Sequence, residues 1–184
     1  FILSSKDLCM IEHIPELVNS GITAWKIEGR MKSLYYVAAV TRVYREAIDR
    51  YFADPDGYVF DPRWLSELEK VSHREYGTGF FFGNQGYRGQ TTHPGSSYIK
   101  EYDYVGVVNN VLPDNQVEVL IKNKISCNTP VEIMGRRLCE DFGQTLCDLR
   151  NEHNEPVESA DAGQKVLIKI LRPVHKYFML RKCG

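Results

Sequence analysis

ITAWKIEGRMKSLYYVAAVTRVYREAIDRYF, residues 22–52, decides the fold class of the N-terminal half. Its β-branched and aromatic opening predicts a strand over Ile22–Glu28, ended by Gly29. A long helix is then expected from about Ser33 to Phe52, because Tyr36, Val37, Val40, Val43, Tyr44, Ala47 and Ile48 recur at spacings of three and four. Upstream, Ser5 is placed to cap a short helix carrying Leu8 and Ile11, and Pro15 opens a second helical piece that stops at Gly21. Downstream, Asp54–Gly57 reads as a turn, and Asp61-Pro62 starts a helix holding Leu65, Leu68 and Val71. Helix, strand, helix at this rhythm is part of a parallel α/β array.

The texture changes after residue 76. GTGFFFGNQGYRGQTTHPGSS carries six glycines and four aromatic residues, so residues 77–101 read as a linker that packs on something. From residue 102 the chain is a run of short alternating strands. YVGVVNNVL and QVEVLIKNK flank the turn PDN, and PVEIMG, CEDFGQTLCDLR, KVLIKIL and KYFMLRK follow at regular spacing. So many edges need closure, which predicts a small closed β-barrel over 102–184. The V-G-V-V…V-E-V-L-I-K-N…V-E-I-M pattern resembles the second domain of translation elongation factors, a likeness of fold alone.

Composition narrows the partners. The 184 residues carry 23 Lys+Arg against 24 Asp+Glu, so nothing pulls the whole molecule toward nucleic acid or anionic lipid, and such contact requires a local patch. No apolar run approaches the roughly 18 residues of a membrane span. The opening FILSSKDLC has no Met and no charged signal region, and reads as a piece of a longer, cytoplasmic chain. Five dispersed cysteines without a C-x-x-C pair fit reduced thiols better than a disulfide framework or a zinc ribbon.

Chemistry is concentrated around the predicted strand end. Alternation puts Lys26 and Glu28 on one face, with Arg30 and Lys32 just beyond and a helix N-terminus near Ser33. At the C-terminal end of a barrel strand such residues face an active site, and two or three cations there suit a carboxylate or phosphate. A structural Lys–Glu pair accounts for the same spacing. Lys26, Glu28 and Arg30 are the catalytic candidates, and Lys6, Asp7, Lys32 and Tyr36 the substrate-binding ones; Asp7 also suits the first turn of a helix. Cys9 is either a small core residue or one ligand of a metal centre completed elsewhere. The histidines do not cluster, and neither HExxH nor G-x-S-x-G is present. Lys122/Lys124 and Arg136/Arg137 form two basic pairs for RNA contact, or solvated hairpin ends.

Taken together, SSKDLCMIEHIPELVNSGITAWKIEGRMKSLYYVAAVTRVYREAID (residues 4–49) closely resembles a block of peptidase family U32, the collagenase-like proteases. The likeness continues through LSELEKVSHREYGTGFFFG into YVGVVNNV, KNKISC and VEIM, and is strongest to a branch regarded as prephenate-dependent tRNA uridine hydroxylases. It implies that residues 1–76 are the terminal part of a (β/α) barrel, giving an α+β fragment with the β-barrel behind it. It also implies tRNA and prephenate as partners. An iron–sulfur cluster is implied in the full-length protein, with most ligands upstream and Cys9 close to the cluster region. The fragment by itself is expected to be inactive and without cluster, and its exposed apolar surface to favour a homo-oligomer. Prephenate is a dicarboxylate, which meets the cations of KIEGR. The other reading is a peptidase or peptide-binding domain.

Overall fold

In the computed structural model, which describes residues 5–90 and 98–184, the chain divides into two units, Phe1–Glu101 and Tyr102–Gly184. The first contains β1 (Asp7–Leu8), α1 (Ile14–Asn19), α2 (Leu34–Ala53), α3 (Pro62–Glu69) and β2 (Tyr76–Gly77). Both longer helices begin where expected, each behind a capping side chain. The Ser33 hydroxyl accepts the Tyr36 N–H at 3.2 Å, and Pro62 fills the first turn of α3 behind Asp61. α2 buries Tyr35, Ala39, Val40, Val43, Ala47 and Tyr51, so its core-facing line is rotated slightly from the predicted stripe. Arg42 of α2 and Glu67 of α3 form a buried ion pair, which Lys70 extends at 3.6 Å. Removing one partner of such a pair leaves a buried charge and typically costs about 3–5 kcal/mol.

Two expectations fail in this unit. Residues 22–28 are not a strand: they run outside regular structure and are nearly all exposed. A parallel strand needs flanking neighbours to satisfy its backbone, and among the described residues this segment has no ladder partner. The segment expected as a helix from Ser5 is extended instead. β1 pairs in parallel with β2, in the register Asp7↔Tyr76 and Leu8↔Gly77, so a contact about seventy residues away overrides local capping. The described residues of this unit thus display two short parallel strands, three α-helices and two short 3-10 helices. No helix among them is long and apolar enough to cross a membrane.

The second unit contains β3 (Tyr102–Val111), β4 (Gln116–Ile121), β5 (Ile125–Ser126), β6 (Thr129–Met134), β7 (Phe142–Leu146), β8 (Leu149–Arg150), β9 (Ser159–Ala160), β10 (Lys165–Lys169) and β11 (Met179–Cys183). The β3–β4 hairpin turns through Asp114 and Asn115, both at φ near +58°, as a primed two-residue turn requires. Seven strands form one antiparallel sheet in the order β7-β6-β11-β3-β4-β10-β8. It curls around a single apolar cluster including Val119, Ile121, Ile133, Leu146, Ile168 and Leu180. The expected closure is not made by the ladder, because β7 and β8 end the order without pairing, and nothing in that order bears on the elongation-factor likeness. A side chain spans the gap instead. Gln144, on the inward face of β7 between Phe142 and Leu146, donates to the Lys169 carbonyl and accepts the Leu171 N–H, both at 3.0 Å.

Two measurements check this account. Gln144→Leu removes both bonds, to the Leu171 N–H and the Lys169 carbonyl, and is expected to cost about 1 kcal/mol in urea denaturation. Asp61 accepts from the Arg63 guanidinium and N–H and pairs with Arg50. The Arg63 hydrogen bond, above all, holds its pKa down at about 2. A depressed carboxylate contributes stability above the unfolded value of about 3.9, which is lost as pH falls toward 2. Asp61→Ala should therefore lower stability by about 1 kcal/mol near neutral pH through the lost cap, with its difference from the parent shrinking below about pH 4.

Candidate functional site

β1, β2 and the residues that flank them bring polar side chains together in the first unit. The Asp7 N–H donates to the Glu75 carbonyl and the Cys9 N–H to the Gly77 carbonyl, both at 2.9 Å. The Asp7 carboxylate receives the Arg74 N–H at 3.0 Å and the Arg74 guanidinium at 2.9 Å. Lys6 pairs with Glu75 at 3.3 Å. These contacts fix the chain on either side of Cys9.

Cys9 lies against α2. The Tyr44 oxygen accepts the Met10 N–H at 2.8 Å, while its own O–H points to the Cys9 sulfur at 3.9 Å. Burial pushes the Cys9 thiol up, and hydrogen bonds from the Ile11 backbone and Tyr44 partly oppose it. Burial also raises Tyr36, Tyr44 and Tyr76, with the negative charge of Asp7 or Cys9 adding to it. All three phenols are therefore protonated donors at neutral pH. Tyr36 and Tyr44 stand eight residues apart, on one face of α2.

A cationic, aromatic corner adjoins Tyr36. The Lys32 ammonium donates to the Ser72 carbonyl at 3.2 Å and lies 4.5 Å from the Tyr98 ring centre and 5.1 Å from that of Tyr36. The Arg74 guanidinium stands 5.9 Å from the Tyr98 ring. Such an arrangement offers positive charge and flat apolar faces together, suited to an anion with a planar or ring-like body. His73 is buried, stacked on Tyr76 at 4.3 Å; its Nδ1 bonds the Arg74 carbonyl and its Nε2 has no partner among the described residues.

The sequence candidates divide between this cluster and open surface. Asp7, Cys9, Lys32 and Tyr36 are brought together, and Lys6 flanks them. Lys26 and Glu28 pair at 3.5 Å on this irregular segment. They are, however, 86% and 68% exposed. The Glu28 carboxylate accepts the Arg30 N–H at 3.0 Å, and this bond, followed by Lys26, holds its pKa below the usual value. Tyr36 still senses the Glu28 charge, and Gly29 packs against Val37 and the Tyr36 ring. In the second unit, Lys122, Lys124, Arg136 and Arg137 are all exposed; Lys124 pairs with Asp161 at 3.4 Å. Sequence reading missed Arg74, His73, Tyr76 and Tyr98. Tyr44 appeared only as a member of an apolar stripe.

An iron–sulfur cluster takes about four cysteine ligands. Cys9 is the sole cysteine of residues 1–101, so these residues match one corner of such a site and not the whole of it. Its sulfur faces the Tyr44 hydroxyl at 3.9 Å, a donor that would also serve a metal-bound thiolate.

Comparison with known proteins covers almost all of the chain. The model of peptidase family U32 matches residues 1–91, and that of the peptidase family U32 C-terminal domain matches residues 100–181. The tRNA hydroxylation protein P1 of Bacillus subtilis is 38% identical over 99% of this chain and 43% of its own length. An uncharacterized protease of Methanocaldococcus jannaschii is 34% identical over 92% of this chain and 42% of its own. The chain thus spans less than half of these relatives. Among solved structures, the C-terminal domain of a Geobacillus thermoleovorans U32 peptidase matches at 27% identity and a TM-score of 0.41, over 44% of this chain and 99% of the other.

If Tyr44 stabilises the Cys9 thiolate, Tyr44→Phe should slow iodoacetamide labelling of Cys9 at pH 8–9 by about two- to fivefold, the worth of one ordinary hydrogen bond. Labelling of the exposed Cys139 and Cys147 should not change. Peptide-resolved mass spectrometry reads all three.

Proposed function

Since this chain belongs to peptidase family U32, we propose that it takes part in prephenate-dependent hydroxylation of the wobble uridine of tRNA, as a portion of a larger cytoplasmic enzyme. The observation that carries this is the 38% identity, sustained over 99% of the chain, to a protein named for tRNA hydroxylation. The chemistry of the first unit is compatible with it. A dicarboxylate needs fixed cations, and Lys26, Arg30 and Lys32 supply them within seven residues, with Glu28 set to orient them. Lys6, Asp7 and Tyr36 complete the substrate-binding group. The ring of such a substrate would find flat partners in Tyr36 and Tyr98.

Cys9 is proposed as one ligand of an iron–sulfur cluster whose other cysteines come from outside residues 1–101. When bound, such a cluster supplies electron-transfer chemistry. The contribution of this chain is to hold the sulfur with the Tyr44 hydroxyl and the Ile11 N–H. In the second unit, Lys122, Lys124, Arg136 and Arg137 are proposed to contact the tRNA backbone. Self-association would use apolar side chains exposed on the first unit, such as Ile22, Met31 and Leu34.

A peptidase reading has the family name and the name of the Methanocaldococcus relative behind it. The site gives it less. Among the described contacts, His13 meets Glu16 and His73 meets a backbone carbonyl, and neither activates a serine or cysteine.

Deleting the gene and analysing bulk tRNA by mass spectrometry should show loss of hydroxylated wobble uridine. Complementation with full-length Lys26→Ala or Arg30→Ala should restore it poorly, with activity down roughly ten- to hundredfold, the worth of a charge-assisted hydrogen bond. Full restoration would remove those residues from the site. Unchanged tRNA in the deletion strain, with loss of a peptide-cleaving activity, would favour the peptidase.

A further inference from the structure

The segment Leu171–Phe178 of the second unit reads LRPVHKYF and contains three cationic or titratable bases and no acid. Val174 and Phe178 are buried and anchor it at both ends, while His175, Lys176 and Tyr177 stand outside. Tyr177 has φ +74°, the left-handed region that a bulky side chain rarely adopts. Two backbone bonds hold it there: the Tyr177 N–H donates to the Val108 carbonyl at 2.9 Å, and the Val108 N–H to the Phe178 carbonyl at 2.8 Å. Its ring is 69% exposed, and the Lys176 ammonium lies 5.3 Å from the ring centre. Nothing in the core requires a tyrosine here. The fold tolerates a strained backbone in order to present an aromatic face to solvent, a combination that points to a binding role.

A second basic element meets this loop. β11 and β6 pair with Met179 opposite Met134. One step further, Gly135 lies against the Phe178 ring, where a built Cβ would come within 3.1 Å of it. Arg136 and Tyr177 are the residues that follow and precede this Gly135–Phe178 contact. The Glu140 carboxylate accepts the N–H groups of both Arg136 and Arg137, at 2.7 and 3.1 Å, and so fixes the turn. Both arginine side chains are exposed, without an ion-pair partner among the described residues.

We propose that Tyr177 is a base-stacking platform for single-stranded RNA, flanked by Lys176, His175, Arg136 and Arg137 as the track for its phosphates. The chemistry fits unpaired nucleotides better than a duplex, because a lone exposed ring can only stack on a base that is free of its own neighbours. This rests on the tRNA reading above and adds to it the part of the second unit that receives an unstacked loop nucleotide. The role is binding; no reacting atom is placed here.

The test uses the full-length protein and an unmodified tRNA anticodon stem-loop, with binding measured by fluorescence anisotropy. Tyr177→Asn keeps a residue that tolerates left-handed backbone while removing the ring. It should raise the thermal midpoint or leave it unchanged and yet weaken RNA binding about tenfold or more, by the usual worth of a stacked base. Tyr177→Phe should bind as the parent does. Arg136→Ala with Arg137→Ala should lower the slope of log K against log salt by about 1.4, at about 0.7 for each single-strand phosphate that is no longer neutralised. Parent binding unaltered by Tyr177→Asn, or lost equally on Tyr177→Phe, would overturn the platform while leaving the tRNA reading intact. A parent that does not bind the stem-loop overturns both.

Discussion

The candidate site of the first unit depends on one ion pair. Asp7 receives both the backbone N–H and the guanidinium of Arg74, 67 residues away. With that clamp in place, β1 and β2 need only two residues each to stay in register. Everything that converges follows from it: Cys9 is carried to Tyr44, Arg74 to Tyr98, and Tyr76 to its place beside His73. A two-stranded ladder this short has little stability of its own. A carboxylate making two charge-assisted bonds, neither fully open to water, supplies what the ladder lacks.

The exposed Lys26–Glu28 pair shows how differently the same residue types behave without such support. In water, charges 3.5 Å apart attract weakly and cost side-chain freedom, so the pair contributes little to stability. Its value lies in what it would become when covered. A segment with Ile22, Ile27 and Met31 also exposed is not an ordinary solvated loop. Desolvation by a packing partner would strengthen each charge interaction several-fold, since the effective dielectric falls. The chain spans less than half of its relatives, and the proposed carboxylate site belongs to the whole protein.

Legibility in the sequence followed the range of the interaction responsible. The start of α2 at Ser33, Pro62 at the start of α3 and the Asp114-Asn115 hairpin are set by neighbours within four residues, and all were readable. Alternation marked the strands of the second unit because one face is buried and the other wet. Residues 22–28 were misread because their β-branched content expresses a strand only when other strands flank it. Ser5 to Leu8 were misread as helical because Gly77 and Glu75 compete for the same N–H groups from far along the chain. Of the site, Cys9, Asp7, Lys32 and Tyr36 stood out by residue type and closeness to one another. Arg74 and Tyr98 carried no local mark, and Tyr44 was hidden because a tyrosine on a helix stripe looks the same whether it fills a core or holds a sulfur.

In the second unit, a buried charge sets what the surface can present. Arg181 is fully buried in β11. It bonds Glu132 of β6 through two nitrogens at 2.8 and 3.1 Å, approaches Asp141 at 3.7 Å, and lies over the Tyr102 ring. Shifting β11 by one residue would strand this guanidinium away from Glu132 while turning Leu180 outward. The pair Arg181↔Glu132 therefore fixes the β11–β6 register. That register also decides what emerges at the sheet end, where Gly135 lies against the Phe178 ring and the chain continues into Arg136 on one side and Tyr177 on the other. Gln144 performs the corresponding task where the ladder does not close. The apolar cluster gives this unit its stability, but apolar contacts alone would tolerate neighbouring registers. Two polar side chains remove that freedom, and the exposed basic and aromatic face is positioned by them although neither touches it.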